Sequence, residues 1–341
     1  VNTVTGLDLP AGSPGGSVEL LKDLYLGEDP LIPADVFMLG TGSPNLLPVA
    51  GKQLDGPGFW TYVDNLTKAI QQRYTDDYDV VHLQHLSFGA TPALLRAFPS
   101  HPHLALVHGT DLLFAADHPT QAEVLREAAA AARAVVVPTS AMADLLRKSA
   151  QPNHVVHVPW GVPDHLLEAP PEREPHDDFR VLYAGRLTSE KGAAELIAGL
   201  SDVRLRVAAP ADEFHQLAKK VDMSTVEYLG WFSRAGLWQA FAQHDLLVVP
   251  STRLEAFGLV AVEAQACGLP VVYQPVPGLT EVLGDSAVSA DLIELSDTIT
   301  LLRKDPTALE DLRGAGFRNA KRFPLSKTAA ELNALSVEIQ R

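Results

Sequence analysis

One alternation, short apolar runs followed by longer helical stretches, governs this sequence, and the chain passes through it twice. In the first half the apolar runs are residues 2–6, 35–39, 80–83, 104–107, 134–137 and 155–158, separated by helical stretches at 16–26, 60–74, 120–133 and 140–149. In the second half the runs are 180–183, 204–208, 226–228, 246–249 and 270–273, with helical stretches at 193–200, 211–221, 234–243 and 259–267. Strands that are apolar on both faces need cover on both faces, the condition of a parallel sheet flanked by helices. The expected fold class is α/β, with two domains, each a parallel sheet covered by helices. Between the two passes lie residues 159–178, with five prolines and mixed charge, a linker composition. The first domain is therefore expected at 1–158 and the second at 159–323. The helical tail at 326–340 follows Phe323-Pro324 and can cross back, which adds 324–341 to the first domain.

Composition narrows the function classes. The formal net charge is −15. Duplex nucleic acid is held by basic groups on its phosphates, so no nucleic-acid partner is expected. Residues 1–158 carry 9 Lys and Arg against 16 Asp and Glu, which gives no pull toward anionic lipid. No apolar run approaches the ~20 residues of a membrane span, and residues 1–10 do not resemble a signal peptide. The single cysteine, Cys267, cannot form an internal disulfide; it reads as core packing, and a cytoplasmic location fits.

Open parallel sheets bind ligands at the carboxyl ends of their strands, so the segments just after strands carry the chemistry. Gly12-Ser13-Pro14-Gly15-Gly16-Ser17 follows the first strand and opens a helix; it is either a tight turn or a backbone cradle for an anion. Val107-His108-Gly109-Thr110-Asp111 ends another strand, where His108 can donate a hydrogen bond to a sugar hydroxyl or stand as a satisfied boundary histidine. His82 and His85 are further candidates for the same cleft, and the histidines show no zinc spacing, so no metal site is expected. Gly185-Arg186-Leu187-Thr188-Ser189-Glu190-Lys191-Gly192 places a glycine, an arginine and a lysine on one loop of an acidic chain, suited to phosphate oxygens.

The most specific segment is Pro250-Ser251-Thr252-Arg253-Leu254-Glu255-Ala256-Phe257-Gly258-Leu259-Val260-Ala261-Val262-Glu263. Its two glutamates bracket a helix N-terminus, which can hold a diphosphate on its amides while one carboxylate reaches a sugar and the other a ribose. Glu263 sits among Val260, Val262 and Ala264, so its charge needs a partner. Trp231, at the end of the run 226–231, can hold a planar base or belong to the core.

Taken together, these segments resemble the family 4 retaining glycosyltransferases of the GT-B fold. The resemblance covers nearly the whole chain, in order: the glycine loop, His-Gly-Thr-Asp, Pro138-Thr139-Ser140, the linker, Gly-Arg-x4-Lys-Gly, and Glu255-x7-Glu263 leading to Glu263-Ala264-x2-Cys267-Gly268-Leu269-Pro270-Val271. It implies two Rossmann-like domains facing across a cleft, and sugar transfer with retention from a UDP- or GDP-linked donor to an acceptor by a metal-independent enzyme that uses no cofactor. It implies that Glu255 holds donor-sugar hydroxyls, that Gly185 and the backbone of Phe257, Gly258, Leu259 and Val260 meet the diphosphate, and that Glu263 takes the ribose. It further implies that Arg186 and Lys191 neutralise the diphosphate, that Gly15 and Gly16 approach it from the first domain, and that His108 stands near the anomeric carbon. Trp160 and the pair Gly278-Leu279 depart from the usual pattern. The acidic first domain and the Ala/Leu/Arg-rich composition suggest a soluble small-molecule acceptor, as in antibiotic biosynthesis. An epimerase or hydrolase on the same fold, or a silent sugar-nucleotide binder, are the rival readings.

Overall fold

The computed structural model describes residues 1–43, 45–200 and 203–341. The chain forms two compact units, Val1–Pro159 with Ser326–Arg341, and Trp160–Leu325.

Unit 1 runs β1 (Thr3–Pro10), α1 (Gly16–Tyr25), β2 (Ala34–Leu39), β3 (Leu46–Leu47), α2 (Pro57–Arg73), β4 (Val80–Gln84), α3 (Ala90–Ala97), β5 (His103–Leu106), α4 (Thr110–Asp117), α5 (Pro119–Ala131), β6 (Ala134–Val137), α6 (Ser140–Ser149) and β7 (Val155–His157). Its strands form one parallel sheet in the order β3-β2-β1-β4-β5-β6-β7. Strands β4, β5 and β6 are buried at every position, which is why they read as unbroken apolar runs. The first helix buries Val18, Leu20, Leu21, Leu24 and Tyr25 along one stripe.

Unit 2 runs α7 (Asp164–Glu168), β8 (Val181–Ala184), a 3-10 turn (Ser189–Lys191), α8 (Ala193–Gly199), β9 (Leu205–Ala208), α9 (Ala211–Leu217), β10 (Val226–Gly230), α10 (Arg234–Ala242), β11 (Leu246–Val249), α11 (Leu259–Ala266), β12 (Val271–Tyr273), α12 (Leu279–Leu283), β13 (Val288–Ser289), α13 (Leu295–Arg303) and α14 (Pro306–Ala320). Its sheet is also parallel, in the order β10-β9-β8-β11-β12-β13. The last helix, α15 (Leu325–Glu338), packs in unit 1: Thr328 Oγ1 donates to the Pro159 carbonyl at 2.9 Å and Asn333 Nδ2 to the Leu31 carbonyl at 3.4 Å.

Each sheet reverses its strand order once, between β1 and β4 in unit 1 and between β8 and β11 in unit 2. Loops leaving adjacent strands at such a point run to opposite sides and open a crevice at the carboxyl edge. Two-residue strands β3 and β13 and helices α3, α4, α7 and α12–α14 lie outside the sequence expectations; strands this short carry no periodicity to read. No helix among the described residues is long and apolar enough to cross a membrane.

Burial sets the acid response of the fold. It lowers His82 to about 3, His103 to about 4 and His244 to about 4, and raises Asp111 to about 6. A histidine whose folded pKa is depressed binds fewer protons folded than unfolded, so its contribution is lost as pH falls below about 6.5. The raised Asp111 acts in the opposite sense, gaining stability as pH falls from about 6 toward 4. His85 and His108 are lowered as well, so five histidines outweigh one carboxyl, and His82 alone represents ~2 kcal/mol between pH 6.5 and 5. Urea unfolding is therefore expected to give a lower midpoint at pH 5 than at pH 7; an unchanged or higher midpoint contradicts this balance.

Candidate active site

In unit 2 the reversal point gathers the two loops singled out by sequence. The loop after β8 carries Gly185 to Gly192, and the loop after its neighbour β11 carries Pro250 to Gly258. Two glycines permit the loops to close on one another. Gly192 has φ +67°, and a Cβ there would lie 2.0 Å from the Pro250 carbonyl oxygen. Gly278 has φ +93°, and a Cβ there would lie 1.7 Å from the Glu255 carbonyl oxygen. Backbone bonds add to this closure: the Thr252 amide donates to the Glu190 carbonyl at 2.9 Å and the Glu255 amide to the Pro277 carbonyl at 3.3 Å.

The result is an ion pair between Lys191 Nζ and Glu255 Oε1, with Ser251 Oγ donating to the same carboxylate oxygen at 2.7 Å. The Glu255 side chain is 12% exposed and that of Lys191 37%, so the acid is fixed and the base faces outward. Directly after Phe257, which is buried, comes the N-terminus of α11, capped by Gly258 in the left-handed region. The first intrahelical bonds run from Ala261 and Val262 to the Gly258 carbonyl, and the amides of Gly258, Leu259 and Val260 precede them.

Glu263 lies one turn into α11 and is buried. Its charge does have partners: Arg234 Nη2 donates to Oε1 at 2.5 Å and Trp238 Nε1 to Oε2 at 3.0 Å. Arg234 also lies over the Trp238 ring, 5.3 Å from its centroid. Arg186 leans on α9, where Glu213 Oε1 takes its Nε at 2.7 Å and its Nη2 at 2.6 Å, while Glu213 Oε2 accepts from the Leu187 amide at 2.7 Å. Tyr183 donates to the Arg186 carbonyl at 2.5 Å, and burial with the charges of Glu255 and Glu213 raises its phenol far above the usual range. Gly185 follows β8 with φ +152°. Trp231 stands just past β10, 48% exposed, and is not a core aromatic. Sequence reasoning gave no role to Ser251, Glu213, Arg234 or Trp238.

In unit 1, Gly15 caps α1 with φ +143° and ψ +148°, and Gly16 is the first helical residue. His108 follows β5, partly buried, with Nε2 2.9 Å from Gln84 Oε1 and its ring 4.4 Å from that of His85. Burial lowers His108 to about 3, so the ring is neutral near pH 7. His85 is buried, adopts φ +60°, and its Nδ1 has no hydrogen-bond partner among the described residues. His82 does not belong with them. It is fully buried, with Nδ1 2.8 Å from the Tyr25 hydroxyl and Nε2 2.8 Å from Ser336 Oγ, a satisfied core histidine. Trp160 and Leu279 are buried as well, the latter under Gly258, where a Cβ would lie 2.4 Å from Leu279 Cδ2. Among the described residues no group of three His, Cys, Asp or Glu is arranged to hold a metal ion.

Family comparison meets this geometry. Residues 37–166 match the model of Glycosyltransferase Family 4, and residues 167–317 match that of Glycosyl transferases group 1. D-inositol 3-phosphate glycosyltransferase 1 of Catenulispora acidiphila is 33% identical over 316 residues, covering 77% of this chain and 73% of that protein. This chain belongs to glycosyltransferase family 4.

Other relatives of this family 4 glycosyltransferase align over less of their length. The D-inositol 3-phosphate glycosyltransferase of Mycolicibacterium smegmatis is 35% identical over 178 residues, 47% of this chain and 40% of that one. Among solved structures, sucrose-phosphate synthase from Thermosynechococcus elongatus superposes with a TM-score of 0.83 at 19% identity, over 99% of this chain and 98% of that one. Anabaena HepE, solved in complex with UDP-glucose, gives a TM-score of 0.73 at 19% identity, over 98% of each chain. The family 4 glycosyltransferase therefore has the GT-B fold, with two Rossmann-like α/β domains.

Proposed function

We propose that this glycosyltransferase moves a sugar from a nucleoside diphosphate sugar, UDP-linked by preference, to a small polar acceptor with retention of anomeric configuration and without a metal ion. The observation that carries the reading is the arrangement at the β8/β11 reversal: Lys191 and Glu255 paired beside the open amides of α11, with Glu263 held one turn further along. Lys191 is a cation available to a diphosphate laid on those amides. Negative charge grows on the leaving diphosphate as the glycosidic bond breaks, and cations and amides fixed in advance stabilise that growth. Glu255, released by Lys191, is then an acceptor for sugar hydroxyls, and Glu263 keeps lone pairs for a ribose diol. Arg186 is the second cation, and Trp231 offers a face for the base. In unit 1 the candidate residues are Gly15 and Gly16, whose amides can meet an anion, and His108, which can meet a sugar hydroxyl. Unit 1 is the acceptor-binding unit and unit 2 the donor-binding unit.

The preference for UDP draws on HepE, whose structure holds UDP-glucose. The acceptor class draws on relatives named for D-inositol 3-phosphate and on the acidic first domain. The test is a thermal-shift screen with UDP, GDP, ADP and dTDP, followed by turnover of the matching nucleotide sugar with and without EDTA. A ligand at about 100 times its dissociation constant stabilises by ~2.7 kcal/mol. Stabilisation by UDP above the others and EDTA-resistant turnover are expected. No shift with any nucleotide defeats the reading, and a strict demand for divalent metal defeats its mechanism.

A further inference from the structure

The hydrogen bonds behind His108 all run in one direction. Ser336 Oγ donates its only hydrogen to the Leu332 carbonyl at 2.8 Å, so toward His82 Nε2 it can only accept. His82 is neutral, because burial lowers it to about 3, and its hydrogen is therefore on Nε2 and its lone pair on Nδ1. Nδ1 accepts from the Tyr25 hydroxyl at 2.8 Å. Thr5 fixes the orientation of Gln84. Its hydroxyl donates to the His82 carbonyl at 2.9 Å, so its oxygen accepts from Gln84 Nε2 at 3.1 Å. The Thr5 oxygen thus holds the NH2 end of Gln84, and the carbonyl end Oε1 faces His108 Nε2 at 2.9 Å. An oxygen without hydrogen can only accept, so His108 Nε2 carries the proton. Thr5, Tyr25, His82, Gln84 and Ser336 are each at least 98% buried, so water does not compete for these bonds.

We infer that Gln84 is a positioning residue that locks His108 with its hydrogen on Nε2 and its lone pair on Nδ1, so that His108 meets a substrate hydroxyl as an acceptor and not as a donor. The kinetic half of this inference rests on the transfer reading above; the tautomer itself does not. The geometry supplies a reason for a polar residue in the middle of a buried strand. Without the relay a neutral imidazole exchanges its proton between nitrogens, and part of its population offers the wrong atom. The sequence suggests a donor at this position, and the relay reverses that role.

The test is a long-range 15N–1H correlation spectrum of the full chain labelled in histidine, with the His108 signals identified by their loss in His108→Asn. Wild-type protein is expected to show a protonated Nε2 and a lone-pair Nδ1 at pH 7. Gln84→Leu is expected to admit the other tautomer and to lower turnover of UDP-glucose by about 10- to 100-fold, with UDP affinity within twofold. Gln84→Glu keeps an acceptor for Nε2 while losing the bond to Thr5, so it is expected to keep the Nε2 proton and to retain more turnover than Gln84→Leu. A wild-type spectrum with the proton on Nδ1 overturns the inference and needs no variant to fold. Equal losses in the Leu and Glu variants, or an unchanged tautomer in Gln84→Leu, reduce Gln84 to a packing residue. Absence of turnover with every nucleotide sugar removes the proposed function, while the nitrogen signals still decide the tautomer.

Discussion

Lys191→Ala is expected to lower turnover by about 100- to 1000-fold, the usual cost of losing one preorganised group that meets transition-state charge. Its effect on stability is expected to be small. The Lys191–Glu255 pair has one partner 37% exposed, and pairs of that kind contribute ~0–1 kcal/mol. Glu255 also keeps the Ser251 hydroxyl after Lys191 is gone. The two readouts should therefore separate widely. Steady-state kinetics at saturating donor, with a thermal melt of the same preparation, measures both. A variant that turns over normally but melts early would make Lys191 a structural cation. A variant that only raises the Michaelis constant would make it an anchor for the ground-state diphosphate.

Glu263→Ala is expected to act on stability first. The Arg234–Glu263 pair is buried on both sides, with side chains 13% and 7% exposed. Removing one partner of a buried pair costs up to ~3–5 kcal/mol. At ~2–4 °C per kcal/mol for a domain of this size, the melting temperature falls by roughly 10 °C. The double variant Arg234→Met with Glu263→Leu removes both charges and is expected to recover most of that loss. UDP binding should not recover with it, since an acceptor for ribose hydroxyls represents roughly 1.5–3 kcal/mol. Calorimetry on the double variant separates the two roles. Full UDP affinity in a refolded double variant would remove the ribose assignment.

The same pair shows how far the sequence could be read. An acid among Val260, Val262 and Ala264 announced that it needed a partner. The partners themselves were present at helical spacing, Arg234 and Trp238 four residues apart and so on one face of α10. What the sequence lacked was the packing that brings α10 against α11. Arg186 illustrates the same limit, because its phosphate-binding chemistry was evident but the claim of Glu213 on it was not. The parallel sheets were legible because strands such as β4, β5 and β6 are buried on both sides. That very uniformity hid the inner face of β4. His82 and Gln84 are two residues apart and share one face of the strand, yet nothing local distinguishes a histidine facing the core from one facing a ligand.

The return of α15 to unit 1 has a consequence for biosynthesis. Residues 326–341 are translated only after the whole of unit 2, so the sheet of unit 1 leaves the ribosome long before its last helix. Domains generally fold as they emerge, but here the first to emerge is the last to be completed. Until Ser336 arrives, His82 lacks the group that takes its Nε2 hydrogen, and Asn333 and Thr328 have yet to tie the Leu31 and Pro159 carbonyls. The nascent chain therefore carries an early unit with an open flank while the later one forms, and the buried hydrogen bonds of His82 are completed only once α15 docks.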